Sequence, residues 1–123
     1  MTLEQWYGMT QRMRYRGHEI VYRDEGDGSA RPVLLCIHGF PTASWDWAPI
    51  WSALTRQYRV LAPDMIGFGY SDKPRNYDYS IHDQADLHEA LLQEQGVSQA
   101  LVLAHDYGDT VAQELLARQI DGL

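Results

Sequence analysis

Three short apolar runs separated by helical patterns are the feature that most constrains how this chain of 123 residues folds. The runs cover residues 32–37, 59–62 and 100–104. The first run is almost entirely apolar, which predicts a strand buried on both faces, as in a parallel sheet, and the other two predict further short strands. Strands that alternate with helices predict an α/β fold with right-handed crossovers, in which functional sites lie beyond the carboxyl ends of the strands.

Turn residues predict a hairpin ahead of the first apolar run. Residues 12–15 and 18–25 are short strand-like runs on either side of Arg16-Gly17. Residues 25–29 have the composition of a turn. The expected order is therefore a β-hairpin followed by a parallel β-α-β-α-β-α series.

Periodic side chains and caps predict three helices. Ser80 is expected to be the N-cap of a helix that runs to about Gln95, with Gly96 as its C-terminal cap. The side chains at helical spacing are Ile50, Trp51, Leu54 and Tyr58 in the first helix, Ile81, Ala85, His88 and Leu92 in the second, and Val111, Ala112, Leu115 and Leu116 in the third. Each helix follows one of the apolar runs, which completes the alternating order.

Composition argues against several classes of function. The formal net charge is -7 and the pI is near 5.0, so we expect neither a nucleic-acid partner nor attachment to an anionic membrane. The single cysteine, Cys36, lies inside an apolar run and is interpreted as a small buried hydrophobic residue. The first twenty residues hold no apolar stretch of signal-peptide length, so a cytoplasmic location is the default expectation.

No cofactor and no metal ion are expected. Gly67-Phe68-Gly69 lacks the third glycine of a dinucleotide-binding motif, and no helix is predicted to begin there. The candidate ligands for a metal ion all lie on one predicted helix, and they are His82, Asp83, Asp86 and His88. His88 lies off the face that His82 and Asp86 share, so a solvated polar face is the favoured interpretation.

The segment Ala104-His105-Asp106-Tyr107-Gly108 joins the third apolar run directly to a helix. A nucleophile elbow is a sharp strand-to-helix turn that strains its central residue and needs small residues two positions before and after it. Ala104 and Gly108 meet this requirement, which makes Asp106 the candidate nucleophile. The alternative is an aspartate that caps the helix and has no catalytic role.

An aspartate at the elbow narrows the chemistry. A carboxylate that attacks an ester carbonyl forms a high-energy anhydride, whereas attack on a saturated carbon that carries a leaving group forms an ordinary alkyl ester. Epoxide opening and halide displacement are reactions of the second kind. Water then hydrolyses the enzyme ester.

The loop His38-Gly39-Phe40-Pro41 follows the first apolar run and supplies the second part of the candidate site. An oxyanion hole beside an elbow uses the backbone N–H of the residue after the nucleophile and one N–H from a loop after an earlier strand. These donors correspond to Tyr107 and Phe40. The alternative is a tight turn that uses Gly39 and Pro41 only for its shape.

Three motifs together resemble the α/β-hydrolase superfamily, and within it the aspartate-nucleophile branch of epoxide hydrolases and haloalkane dehalogenases. They are the His38-Gly39-Phe40-Pro41 loop, the Asp-Met-Ile-Gly-Phe-Gly-Tyr-Ser-Asp-Lys-Pro loop at 64–74, and His-Asp-Tyr-Gly-Asp at 105–109. The resemblance covers residues from about 14 to 118. It implies the N-terminal portion of an α/β-hydrolase fold and a small-molecule substrate. It also implies supporting roles for the motif residues His38, Gly39, Pro41, His105 and Gly108.

The same resemblance implies parts that this chain does not supply. A catalytic acid and a histidine follow further strands in the family, and a cap domain covers the substrate. We therefore expect residues 1–123 to be the N-terminal part of a single core domain, without the cap domain and the C-terminal part. None of the five histidines is expected to be the hydrolytic base, so the chain alone should not turn over. Half of a parallel sheet is also expected to leave an unpaired edge.

Two residues depart from the family pattern. Haloalkane dehalogenases usually carry a tryptophan after the nucleophile, and its indole N–H binds the halide, whereas Tyr107 has no ring N–H. Epoxide-hydrolase-like activity is therefore favoured, and the alternatives are dehalogenase-like activity and a non-catalytic binding protein of the same fold. Asp109 replaces a small residue. It is interpreted as an acid favoured by the helix dipole, and the alternative is that it raises the pKa of Asp106.

Overall fold

A mixed five-stranded sheet with helices on both faces organises residues 1–26 and 31–121, which the computed structural model describes. The strands are β1 (Gln11–Tyr15), β2 (His18–Glu25), β3 (Val33–Ile37), β4 (Arg59–Pro63) and β5 (Leu101–Ala104). The helices are α1 (Leu3–Gly8), α2 (Ala48–Thr55), α3 (Ile81–Glu94) and α4 (Tyr107–Ile120), with a short 3-10 helix at Ser44–Trp47. The turn expected at residues 25–29 lies mostly outside the described residues.

The strand order of the sheet is β1-β2-β4-β3-β5. Strand β3 pairs in parallel with β4 and with β5, while β2 pairs antiparallel with β1 and β4. The predicted α/β class, with a hairpin followed by parallel β-α units, is confirmed. Because parallel strands end on the same side, the segments that begin at His38, Asp64 and His105 meet at one edge of the sheet.

Alternate residues of β3 enter two separate cores. Leu35 and Ile37 pack on the side of α3 and α4, whereas Leu34 and Cys36 pack on the side of α1 and α2. Burial on both faces is what a continuous apolar run predicts. Cys36 is fully buried, and desolvation raises the pKa of its thiol to about 12, so it behaves as a small hydrophobic residue.

The sequence expectations do not include helix α1. A capping box begins it: the Gln5 N–H donates to Thr2 Oγ1 at 3.1 Å, and the Thr2 N–H donates to Gln5 Oε1 at 2.8 Å. The Thr-x-x-Gln spacing is the signal that locates such a start. Trp6 of α1 is fully buried, so the helix covers part of the core that contains Leu34 and Cys36.

The predicted caps of α3 are confirmed. Ser80 Oγ accepts a hydrogen bond from the Asp83 N–H at 3.0 Å, and Gly96 follows the helix with a φ of 68°. Helix α2 is shorter than expected, because it ends at Thr55 and leaves Tyr58 in the turn before β4. None of the described helices has both the length and the apolar character that crossing a bilayer requires.

Strand β5 lies at an edge of the sheet within the described residues, because its strand pairing is with β3. Leu101 and Val102 are 53% and 44% exposed. The described elements therefore cover the faces of this edge strand only in part. The expected unpaired edge of the half sheet is this strand.

Arg118 joins α4 to α3. Its guanidinium donates to Glu114 on its own helix at 2.8 Å and to Asp86 on α3 at 2.8 Å, and it also pairs with Glu89 of α3. The Arg118 side chain is only 14% exposed, so these ion pairs are partly shielded from solvent. They hold the helix that follows the candidate nucleophile against its neighbour.

His88 is a fully buried titratable residue on α3. Its Nδ1 lies 2.7 Å from the Gln84 carbonyl oxygen and donates to it, while Nε2 has no hydrogen-bond partner among the described residues. Desolvation is the main cause that lowers the pKa of His88 to about 4. The folded protein therefore keeps this ring neutral.

We predict that His88 makes the protein less stable in acid. Below a pH of about 6.5 the unfolded chain binds a proton at His88 that the folded protein excludes down to a pH of about 4. The free energy of unfolding should fall by about 3 kcal/mol across this window, and His88→Leu should remove that part of the fall. Urea unfolding at several pH values measures the effect. His82→Leu is the control, because His82 is exposed on the same helix. An unchanged pH slope in the His88 variant would contradict the prediction.

Candidate active site

Asp106 lies in a sharp turn between β5 and α4. Its backbone has φ 58° and ψ -123°, a left-handed conformation that costs a non-glycine residue about 1–3 kcal/mol. The turn is fixed on both sides, because the His105 N–H donates to the Ile37 carbonyl at 3.2 Å and the Gly108 N–H donates to the His105 carbonyl at 3.0 Å. A strained strand-to-helix turn is therefore present where the sequence predicts the elbow.

Two glycines let the backbone of β3 approach this turn. A Cβ at Gly108 would overlap the Ile37 carbonyl oxygen and lie 2.6 Å from the His38 carbonyl oxygen. A Cβ at Gly39 would lie 2.6 Å from the Cβ of Asp106. Glycine is thus required at both positions for the same steric reason, because the end of β3 lies in close contact with the elbow.

One carboxylate oxygen of Asp106 accepts two backbone hydrogen bonds. The Phe40 N–H donates to Asp106 Oδ1 at 3.1 Å, and the Tyr107 N–H donates to the same oxygen at 2.7 Å. The Phe40 N–H is the larger cause that lowers the pKa of Asp106, followed by the Tyr107 N–H. The direction of this shift does not support the alternative in which Asp109 raises that pKa.

His38 lies beneath the loop that carries Phe40. The Met65 N–H donates to His38 Nε2 at 3.0 Å, and His38 Nδ1 lies 2.8 Å from the Gly39 carbonyl oxygen. The ring is fully buried, and desolvation lowers its pKa. Both ring nitrogens of His38 therefore contact backbone groups, one in the loop after β3 and one after β4. The loop itself turns at the cis peptide bond between Phe40 and Pro41.

Comparison with known proteins identifies the family. The family model for the alpha/beta hydrolase fold matches residues 32–121. The chain belongs to the α/β-hydrolase fold family. The resemblance stated from the sequence motifs is therefore confirmed.

The relatives of this α/β hydrolase include both reaction types considered above. The chain is 47% identical over 120 residues to the mesoderm-specific transcript homolog protein of Bos taurus, covering 94% of this chain and 36% of that protein. It is 37% identical over 105 residues to a haloalkane dehalogenase of Bradyrhizobium diazoefficiens, covering 85% and 33%. The solved epoxide hydrolase of Vigna radiata superposes with a TM-score of 0.81 at 33% identity, covering 89% and 36%. The chain thus spans about a third of the length of these curated relatives.

The other histidines of this α/β hydrolase lie in different surroundings. His105 precedes Asp106 and is exposed, and its charge is a minor cause of the lowered pKa of Asp106. His18 lies 3.9 Å from Asp72, and His82 lies 3.5 Å from Glu114. No histidine side chain makes a hydrogen bond to Asp106 within residues 1–26 and 31–121.

Asp64 is the first residue of the loop motif at 64–74, and the motif itself assigns no role to its side chain. Its Oδ1 accepts from the Ser44 N–H at 2.8 Å, and its Oδ2 accepts from the Tyr70 N–H and the Tyr7 hydroxyl, each at 2.9 Å. A Cβ at Gly69 would overlap Oδ2, so this glycine is required beside the carboxylate. Asp64 therefore fixes the loop after β4 against the segment that follows the candidate oxyanion loop.

Phe68 lies beside the candidate site, although no sequence motif assigns it a role there. Its ring lies 6.0 Å from that of Phe40, 6.2 Å from that of Tyr107 and 5.2 Å from that of His38, between ring centroids. Phe40 is 65% exposed, so part of this aromatic group faces solvent beside Asp106. The group offers an apolar surface next to a carboxylate.

We predict that Gly108→Ala disrupts the elbow. The added methyl group would meet the backbone carbonyls of Ile37, the last residue of β3, and of His38, which cannot move without disturbing the sheet, so the free energy of unfolding should fall by about 1–3 kcal/mol. Gly8→Ala is the control, because a Cβ there meets nothing within 4 Å. Chemical denaturation of both variants measures the difference. Equal stability of the two variants would show that β3 does not approach the elbow this closely.

Proposed function

We propose that Asp106 is a nucleophile that opens an epoxide through an alkyl-enzyme ester. The observation that supports this proposal is the unequal environment of the two carboxylate oxygens. Oδ1 is held by the N–H groups of Phe40 and Tyr107, while Oδ2 receives no hydrogen bond from the described residues. The lowered pKa keeps the carboxylate ionised at neutral pH, and Oδ2 is available to attack.

The same two donors serve both steps of the proposed reaction. In the first step Oδ2 forms a bond to an epoxide carbon, the bond from that carbon to the ring oxygen breaks, and the released alkoxide takes a proton from water. In the second step a water molecule adds to Cγ and loses a proton, and negative charge develops on Oδ1. The Cγ–Oδ2 bond then breaks, so that Oδ2 leaves in the diol, whose alkoxide takes up that proton. Donors that already point at Oδ1 stabilise this charge without reorganisation.

The backbone of Asp106 argues against a purely capping role. An ordinary N-cap residue has an extended backbone, and its side chain accepts from the second or third N–H of the helix. Asp106 has a φ of 58°, and its side chain accepts from Tyr107 at the first helical position and from Phe40 in a distant loop. Capping requires neither the strain nor the contact with that loop.

The side chains around Asp106 favour an epoxide over a halide. In the dehalogenase pattern a ring N–H binds the leaving halide, and neither the exposed Phe40 ring nor the half-buried Tyr107 ring carries an N–H group. The dehalogenase relative keeps halide displacement as the second candidate. The aromatic group formed by Phe40, Phe68 and Tyr107 suits a small substrate with an apolar substituent.

We further propose that residues 1–123 are the N-terminal part of a hydrolase core domain in a longer protein. The support is the coverage of the relatives, of which the chain spans about a third. In this proposal the catalytic acid, the histidine and the cap domain come from the remainder of the protein. The chain alone then forms the ester at Asp106 and hydrolyses it slowly, because His38 and His88 are buried and committed to the backbone.

We predict a covalent adduct at Asp106 when the protein is incubated with styrene oxide. Intact-mass spectrometry followed by peptide mapping should find the adduct in the parent and in Asp109→Asn, and should not find it in Asp106→Asn. Asp109 is the matched control, because it is an exposed acid three residues further along. An adduct that persists in the Asp106 variant, or a parent that takes up none, would reject the nucleophile assignment. Incubation with 1-bromohexane tests the second candidate, and bromide release without reaction of the epoxide would favour it.

A further inference from the structure

The peptide unit between Gly39 and Phe40 is held at both of its ends. Its N–H donates to Asp106 Oδ1 at 3.1 Å, and its carbonyl oxygen lies 2.8 Å from His38 Nδ1. We propose that His38 is a positioning residue that fixes the orientation of this peptide, so that the Phe40 N–H points at the nucleophile. The inference rests on the proposed role of Asp106 and assigns a side chain that, together with the Thr42 N–H, keeps the oxyanion hole formed.

The hydrogen bonds of His38 determine its tautomer. The Met65 N–H can only donate, so His38 Nε2 accepts and carries no proton. The ring is neutral, since burial lowers its pKa, and its one proton is therefore on Nδ1. Nδ1–H then donates to the Gly39 carbonyl, which is the orientation that the proposed role requires.

Thr42 also approaches the Gly39 carbonyl, but its side chain is committed elsewhere. The Thr42 N–H donates to that carbonyl at 3.2 Å, and Thr42 Oγ1 lies 3.2 Å from it. The hydroxyl has a single proton, and its shorter contact is with the Asp46 carboxylate. His38 is therefore the side chain whose proton is directed to this carbonyl with no competing acceptor among the described residues.

A rotation of this peptide unit would remove a donor and add a repulsion. The Gly39 carbonyl would then face the Asp106 carboxylate, and the Phe40 N–H would point away from it. His38 opposes this rotation because its ring is anchored to Met65 after β4 and packs against Phe68 at 5.2 Å between centroids. The end of β4 thereby fixes a donor on the loop after β3. A chain of hydrogen bonds from Nδ1 through the peptide to Oδ1 also polarises the Phe40 N–H.

Two substitutions separate the two ring nitrogens of His38. His38→Asn places an amide N–H near the position of Nδ1 and keeps the donor to Gly39, whereas His38→Gln places its amide near Nε2 and keeps the contact with Met65. The pKa of Asp106, measured by carboxyl ¹³C NMR, should stay lowered in the Asn variant and rise in the Gln variant. The rate at which the ester adduct formed with styrene oxide is hydrolysed should fall about tenfold or more in the Gln variant alone, because the charge on Oδ1 develops in that step; this is a part of the loss expected when an oxyanion donor is removed entirely.

Measurements on the unmodified protein keep the proposal open to test if a variant fails to fold. The imidazole ¹⁵N shifts of His38 should show a protonated Nδ1 and an unprotonated Nε2, and the opposite tautomer would overturn the proposal. A Gln variant that folds and keeps the parent's Asp106 pKa would overturn it too, as would equal behaviour of both variants. Failure of the parent to form an adduct rejects the proposed function instead, because the tautomer and the pKa of Asp106 are measured without any substrate.

Discussion

Two N–H groups from distant parts of the chain converge on one oxygen of Asp106, and the candidate site depends on that convergence. Phe40 lies after β3 and Tyr107 lies after β5, so the two donors meet only because these strands pair in parallel and end together. Their distance of approach is set by Gly39 and Gly108, where any Cβ would collide with the opposing backbone or with Asp106. The sheet register and the absence of side chains at Gly39 and Gly108 thus allow one carboxylate oxygen of Asp106 to accept two backbone hydrogen bonds.

The strain at the elbow and the hydrogen bonds around it support each other. A φ of 58° at Asp106 costs about 1–3 kcal/mol, and it persists because the His105 and Gly108 N–H groups fix the turn against β3 and against itself. The orientation gained is useful only if both donors are already in place, since their value in catalysis comes from not having to reorganise. The hydrogen bonds of His38 to Gly39 and Met65 restrain the loop that supplies one of these donors.

Local signals account for the parts of this structure that the sequence predicts well. Apolar runs locate the strands, Ser80 and Gly96 locate the ends of α3, and the small residues around Asp106 locate the elbow. The antiparallel docking of β2 on β4 is not predicted, because register between distant strands depends on packing that no short segment encodes. The roles of Phe68 and of the two ring nitrogens of His38 also depend on distant contacts, with Phe40 and Tyr107 in one case and Met65 in the other.

The elbow follows an edge strand, so local unfolding of that strand would also disturb the candidate site. Asp106 is carried by β5, whose described pairing is with β3 alone, and the register places Ala104 beside Ile37 directly before the elbow. Fraying of β5 would therefore move Asp106 away from Phe40 and relax the strained turn in the same event. Leu101 and Val102 are exposed on this strand, so apolar contacts in the described residues restrain it weakly at its start. The restraint near the site comes from α4, which begins at Tyr107 and is tied to α3 through Arg118. Ion pairs about three helical turns from the carboxylate thus help to hold its oxygen under the two backbone donors.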